Sequence, residues 1–227
     1  KATHHMTSTN KLSLAEELLL ITLDDESGKL LDSIKPFAFD IAVAASLIME
    51  LSLKGRLDTD TQKLFVVSSA PTGNAILDQA LTEIAAEKDS LSTSDWLSRI
   101  ARNGDGLSDR IIESLVSKGV LQLVEKRLLW VLKTRAYPAT SGIEEREVRA
   151  RVMQLLNSDD IPNPSDALLI GLLNATGIMS RLLAPSELAR LQSRIDQISN
   201  FEEMNRSLSA WIREARELIM SHVPLVH

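Results

Sequence analysis

The stretch from Gly119 to Arg135, GVLQLVEKRLLWVLKTR, decides the fold because it interrupts a sequence that is otherwise patterned for helices. Val120–Val124 and Leu128–Leu132 are short apolar runs, and the polar tripeptide Glu125–Arg127 separates them. Two such runs across a short polar break predict a β-hairpin with the tripeptide at its tip.

The second run would be apolar on both faces of such a hairpin. Alternate side chains of a strand point to opposite faces. A ribbon of this kind needs two partners, and the helical core can supply only one of them. The two faces would be lined by Leu128, Trp130 and Leu132 on one side, and by Leu129 and Val131 on the other.

Basic residues flank the second run, and this combination of apolar and basic groups is typical of a membrane-contacting surface. Because two cations lie at the predicted tip, we expect shallow docking on acidic lipid rather than tip-first insertion. The alternative is a core element or a contact with a second copy of the chain. The basic residues concerned are Lys126, Arg127, Lys133 and Arg135.

Helices are expected on both sides of the hairpin. Ser13 and Glu16 form a capping box that begins the first helix, and Leu64–Val67 is a candidate short strand. The remaining helices are expected at Pro36–Lys54, Asn74–Glu87, Ser94–Arg102, Ser108–Lys118, Glu144–Leu156, Ser165–Asn174, Ser186–Ile198 and Phe201–Ser221.

The pattern therefore predicts an all-α fold, a mostly helical domain around a central helical bundle with one β-hairpin near residues 119–133. We interpret Lys1–His5 as a remnant left by cloning and expect a single domain over residues 6–227. No signal peptide is visible, and no apolar run reaches the roughly 18 residues needed to span a bilayer. These features predict a cytoplasmic protein.

Composition argues against several function classes. A net charge of −6 is unusual for a nucleic-acid-binding domain, which is normally basic. The chain has no cysteine, and its four histidines lie at the termini, so thiolate catalysis and a His-based triad or metal site are not expected. We therefore expect no enzymatic activity, no metal and no cofactor.

Four segments, in order along the chain, together resemble the Golgi phosphoprotein 3 family. The resemblance extends to about residue 140, and Trp96 also falls where the family carries a tryptophan. The segments are LSLAEELLLITLDD (Leu12–Asp25), LIMELSLKGRL (Leu47–Leu57), SAPTGNAILDQAL (Ser69–Leu81) and LVSKGVL (Leu115–Leu121).

The resemblance implies a peripheral membrane protein with a mostly helical fold. Eukaryotic members bind phosphatidylinositol 4-phosphate on Golgi membranes and retain glycosyltransferases by their cytoplasmic tails. A hairpin with an apolar stretch, which corresponds to Leu128–Leu132 here, helps them contact the bilayer and self-associate. Acidic lipid, membrane-protein tails and a second copy of the chain are thus the implied partners.

The family's headgroup pocket is not carried over residue by residue. Its tryptophan and three arginines align with Lys35, Ala44, Asp105 and Ser108. The chain therefore resembles a prokaryotic or otherwise divergent member. We consider two interpretations of the arginines near Trp96, a substitute anion pocket or ordinary solvent-facing side chains. These arginines are Arg99, Arg102 and Arg110.

The leading hypothesis is a non-enzymatic, membrane-associated adaptor that binds acidic lipid or phosphoinositide through the hairpin and nearby basic residues. The alternative is a soluble helical interaction module that uses the hairpin only to self-associate. An enzyme with an unrecognised site is a third interpretation.

Overall fold

The computed structural model of the protein describes residues 11–24, 36–60, 63–89, 91–102, 106–128, 132–200 and 214–221. Helices occupy most of this part of the chain, and two antiparallel strand pairs complete it. The helices are α1 Leu14–Thr22, α2 Pro36–Leu53, α3 Ala75–Ala86, α4 Thr93–Arg102, α5 Leu107–Ser117, α6 Ile143–Leu156, α7 Pro164–Ala175, α8 Met179–Leu182, α9 Pro185–Ser199 and α10, residues 214–221. The strands are β1 Leu57–Asp60, β2 Lys63–Val66, β3 Val124–Leu128 and β4 Leu132–Ala136.

Helix α2 is the centre of the bundle. It contacts α1, α3, α4, α5 and α7, and its residues from Ala38 to Met49 are buried apart from Asp40. A helix that is apolar on all sides is stable only when neighbours cover every face. The small side chains of Ala42, Ala44 and Ala45, all buried, let those neighbours approach closely.

Side-chain caps begin several helices where the sequence predicts them. Ser13 and Glu16 form the expected capping box at α1. The Asn74 side chain accepts hydrogen bonds from the backbone amides of Ile76 and Leu77 at α3. These caps satisfy backbone donors that a helix cannot pair internally.

The predicted fold class is confirmed, since the described chain is mostly helical with a hairpin in the predicted region. The candidate strand at Leu64–Val67 corresponds to β2, whose partner β1 and the short helix α8 were not predicted. Of the last predicted helix, only residues 214–221 belong to the described part of the chain.

Candidate functional site

The hairpin forms, but its turn lies four positions later than predicted. Leu128 pairs with Leu132, so the connection is formed by residues 129–131, and the register continues to Val124 opposite Ala136. The prediction that Glu125–Arg127 forms the tip is therefore wrong, because these residues belong to β3. The two strands are joined between Leu128 and Leu132 and not at Lys126.

Backbone contacts extend the ribbon beyond the two strands toward the core. Leu121 and Ala139 form an isolated bridge in the same register. The amide of Gln122 donates to the carbonyl of Pro138, and the amide of Thr140 donates to the carbonyl of Val120, both at 2.9 Å. The ribbon thus starts immediately after α5 and is continuous in register from base to turn.

The predicted membrane-contacting residues divide between the strands and the connection. Leu128 and Leu132 are the last paired positions, whereas Leu129, Trp130 and Val131 lie outside the described residues. The two-residue repeat of a strand places the basic positions on both faces. In the register, Lys126 pairs with Thr134, Arg127 pairs with Lys133, and Arg135 pairs with Glu125.

The three arginines considered as a substitute anion pocket contact three different neighbours. Arg99 forms an ion pair with Glu87 and lies 5.3 Å from the ring centroid of Trp96. Arg102 lies 5.8 Å from the ring centroid of Phe37, and Arg110 donates to the side chain of Gln79. The hydrogen bond from Arg99 holds the pKa of Glu87 below its usual value.

Two of the four positions that align with the family's headgroup pocket are described, and neither presents a cation. Ala44 is fully buried in the core. The hydroxyl of Ser108 donates to the carboxylate of Asp40 at 3.4 Å, and burial raises the pKa of Asp40. Lys35 and Asp105 lie outside the described residues.

A buried carboxylate joins the first and last of the four segments that carry the family resemblance. Glu16 has no exposed side-chain surface and lies 2.6 Å from the ammonium of Lys118. It also accepts hydrogen bonds from the amide of Ser13 at 2.7 Å and from the hydroxyl of Ser114 at 2.7 Å. Buried charges are stable only when paired in this manner.

Glu50 joins the second segment to the first. Its carboxylate accepts a hydrogen bond from the backbone amide of Leu14 at 2.8 Å and lies 3.7 Å from the ammonium of Lys54. Burial raises the pKa of Glu50, although this hydrogen bond and Lys54 partly offset the effect. The acid therefore fixes the start of α1 against the end of α2.

Arg151 bridges two further carboxylates beside α1. Its guanidinium lies 2.7 Å from Glu17 and 2.7 Å from Asp166, so it connects α6 with α1 and α7. Burial nevertheless raises the pKa of Glu17, with Arg151 acting in the opposite direction. Acidic residues within otherwise apolar helices are the sequence signal for this network.

The four resemblance segments meet at a groove of about 790 Å³. The start of α1, the end of α2, the loop before α3 and the end of α5 each contribute to its wall. Arg56 fixes that loop by donating to the carbonyls of Ala70 and Pro71, at 2.7 and 3.3 Å. The wall carries four cations and two carboxylates, namely Lys11, Lys54, Arg110, Lys118, Glu50 and Glu113.

The described residues offer neither a membrane-spanning helix nor a metal site. None of the described helices is long and apolar enough to cross a membrane. Within the same residues, no three His, Cys, Asp or Glu side chains are grouped closely enough to hold a metal ion.

Comparison with known proteins agrees with the family resemblance of the four segments. The sequence profile described as Golgi phosphoprotein 3 (GPP34) matches residues 14–221. Vacuolar protein sorting-associated protein 74 of Eremothecium gossypii is 27% identical over 165 residues, which cover 64% of this chain and 49% of the relative. The matched region therefore spans about half the length of that relative.

Proposed function

This chain belongs to the Golgi phosphoprotein 3 family, and from that premise we propose that it is a non-enzymatic adaptor that docks on acidic membrane surfaces. The protein would act on the cytoplasmic side, as a peripheral protein. The observation that carries the proposal is the register of the β3–β4 ribbon, which leaves Leu129, Trp130 and Val131 as the connection between basic strands.

The revised turn changes the mode of docking that we propose. Because the connection is apolar and the cations follow it on the strands, tip-first contact replaces the shallow docking expected from the sequence. Three apolar side chains would enter the interface while basic groups meet the lipid phosphates behind them. The basic groups are Lys126, Arg127, Lys133 and Arg135.

The magnitudes indicate weak and reversible binding. Full burial of a Leu-sized side chain is worth roughly 1.5–3 kcal/mol, and each cation near an anionic surface adds about 1 kcal/mol. The free energy gained by partial insertion of three side chains, with four cations nearby, would exceed the free-energy cost of lost motional freedom only modestly. Binding of this strength falls as salt screens the charges.

We further propose that binding follows surface charge rather than the identity of the headgroup. Ala44 is buried and Ser108 is bonded to Asp40, at two positions where the family's phosphoinositide pocket has arginines. Arg99 is already paired with Glu87, which weakens the case for a substitute anion pocket. The hairpin would then carry most of the membrane affinity.

Co-sedimentation with vesicles tests this proposal. The protein should pellet with phosphatidylcholine vesicles that contain phosphatidylserine, and equally with vesicles that contain phosphatidylinositol 4-phosphate at matched surface charge. It should remain in the supernatant with pure phosphatidylcholine. Absence from the pellet with both acidic compositions at low salt would refute the adaptor proposal.

Self-association through the hairpin is the second candidate, and one observation favours it. Among the described residues the β3–β4 sheet has two strands, so each strand has an outer edge that could pair with another chain. Leu123, at the base of the ribbon, is 51% exposed and would be covered by a second copy. Light scattering at increasing concentration would give a molar mass above 25.0 kDa.

A further inference from the structure

Some of the charges in the wall of the groove are already neutralised by the fold. Lys118 is paired with buried Glu16. Glu50 lies 3.7 Å from the ammonium of Lys54 and also accepts the hydrogen bond from the amide of Leu14. These charges hold α1, α2 and α5 together, so a ligand in the groove must be recognised by other groups.

Three further charges in the wall are not neutralised among the described residues. Lys11 and Glu113 are exposed and have no ion-pair partner there, and Arg110 donates to the neutral side chain of Gln79. Arg110 and Glu113 lie three positions apart on α5, a spacing that places their Cβ atoms about 5–6 Å apart on one face of a helix. The groove therefore presents neighbouring charges of opposite sign that do not pair with each other.

This set of charges selects against ligands of a single sign. An inorganic phosphate would meet the carboxylate of Glu113, and a simple amine would leave Lys11 and Arg110 unpaired. Two cations and one carboxylate give a net charge of +1. A phosphate monoester carries about −1.5 to −2 at neutral pH, so an ammonium group on the same molecule brings its total to about −1 and complements the wall.

Apolar side chains lie beside these charges. Leu53 is 39% exposed at the end of α2, and Leu12 and Ile76 are partly buried in the same wall. The volume of about 790 Å³ falls within the range of about 300–1,000 Å³ that is typical of ligand sites. The groove therefore has room for an apolar substituent next to a charged head.

We propose that this groove binds a small zwitterionic phosphate monoester, namely the phosphate of an amino alcohol. The phosphate would lie between Lys11 and Arg110, and the ammonium would lie beside Glu113. A two-carbon spacer between phosphate and ammonium suits the neighbouring positions of Arg110 and Glu113 on α5. The hairpin takes no part in this binding, so the inference is independent of the membrane docking proposed above.

Isothermal titration calorimetry with ethanolamine phosphate and ethyl phosphate tests the proposal, because the second compound lacks only the ammonium. Wild-type protein should bind ethanolamine phosphate about tenfold more tightly than ethyl phosphate. Glu113→Gln should bind the two compounds equally, and Arg110→Gln should weaken the binding of both. Equal binding of both compounds by the wild type, or binding of neither, would overturn the proposal.

Asp109→Asn is the matched control for Glu113→Gln. Asp109 is an exposed carboxylate on the same helix and does not line the groove. This variant should keep the preference for ethanolamine phosphate. Loss of the preference in Asp109→Asn would assign it to the overall charge of the protein, and its persistence in Glu113→Gln would remove the role of that carboxylate. Either result would overturn the proposal.

A third compound distinguishes a soluble ligand from a lipid-derived one. The hexyl homologue of ethanolamine phosphate carries a butyl chain on the carbon that bears the amine. Tighter binding of this homologue would support an amphiphile whose chain covers Leu53, whereas tighter or equal binding of ethanolamine phosphate would support a soluble ester. Both results agree with the proposed head-group chemistry and differ in the source of the ligand.

Discussion

The ammonium of Lys118 lies 2.6 Å from the carboxylate of Glu16, across 102 positions of sequence, and Glu16 has no exposed side-chain surface. This contact connects the first turn of α1 with the end of α5, immediately before the ribbon begins at Val120. The core and the base of the hairpin are thus joined by one charged pair.

Lys118→Met should destabilise the protein by about 2–3 kcal/mol, because it leaves a buried carboxylate without its cation. This loss is smaller than for a fully buried pair because the Lys118 side chain is 18% exposed. Chemical denaturation at neutral pH measures the change. Lys118→Met combined with Glu16→Gln should cost less than the sum of the single changes, and strict additivity would show that the pair does not interact.

Glu50 should make stability depend on pH in a defined direction. Burial raises its folded pKa above the ordinary value of 4.5, with Lys54 opposing and Glu16 reinforcing the shift. The contribution to stability is therefore full below pH 4.5 and is lost as pH rises through the folded pKa. The free energy of unfolding should fall from pH 4.5 toward neutral pH.

Glu50→Gln is the matched test of that dependence. Glutamine can still accept the hydrogen bond from the amide of Leu14, yet it does not titrate. The unfolding free energy of this variant should vary less between pH 4.5 and neutral pH than that of the wild type. Glu17 and Asp40 supply the remaining dependence because burial also raises their pKa values. Identical pH profiles for the two proteins would refute this assignment.

Gly119→Ala should destabilise the protein, whereas Gly171→Ala should not. Gly119 has φ of +75° at the end of α5, where its amide donates to Val116 and the next amide donates to Leu115. A side chain there costs about 1–2 kcal/mol. Gly171 lies inside α7, and an added Cβ would meet Ser199 Cα at 3.9 Å, an ordinary contact.

Alanine at position 171 should therefore be neutral or stabilise by up to about 1 kcal/mol, since glycine is a poor helix former. Thermal denaturation of the two variants under one condition compares them directly. A loss of stability at position 171 equal to that at position 119 would contradict the backbone explanation.

Most helices could be predicted because their signals are local. The Ser13 box and the Asn74 cap each involve residues within three positions of one another. The turn of the ribbon was misplaced because Glu125–Arg127 is polar, and a polar tripeptide is equally compatible with an exposed strand. The register is decided by contacts at the base of the ribbon, such as the hydrogen bond from the Gln122 amide to the Pro138 carbonyl. These contacts join residues that are distant in sequence, so a local sequence pattern does not reveal them.

The groove could not be predicted, because its wall joins residues that are far apart in sequence. Leu14 contacts Glu50 across 36 positions, and Ser114 contacts Glu16 across 98. The sequence shows Glu16, Glu50 and Ser114 only as polar residues within helices that bury apolar side chains. Their common location follows from the packing of α1 and α5 around α2.

We propose that the hairpin connection carries membrane binding, and co-sedimentation of the Trp130→Asp variant is the direct test. Val67→Asp is the control, because Val67 is 57% exposed and lies outside the β3–β4 ribbon. With phosphatidylserine-containing vesicles at low salt, the Trp130 variant should lose most of the co-sedimentation, whereas the Val67 variant should pellet as the wild type does. Equal co-sedimentation of the Trp130 variant and the wild type would contradict this role of the connection.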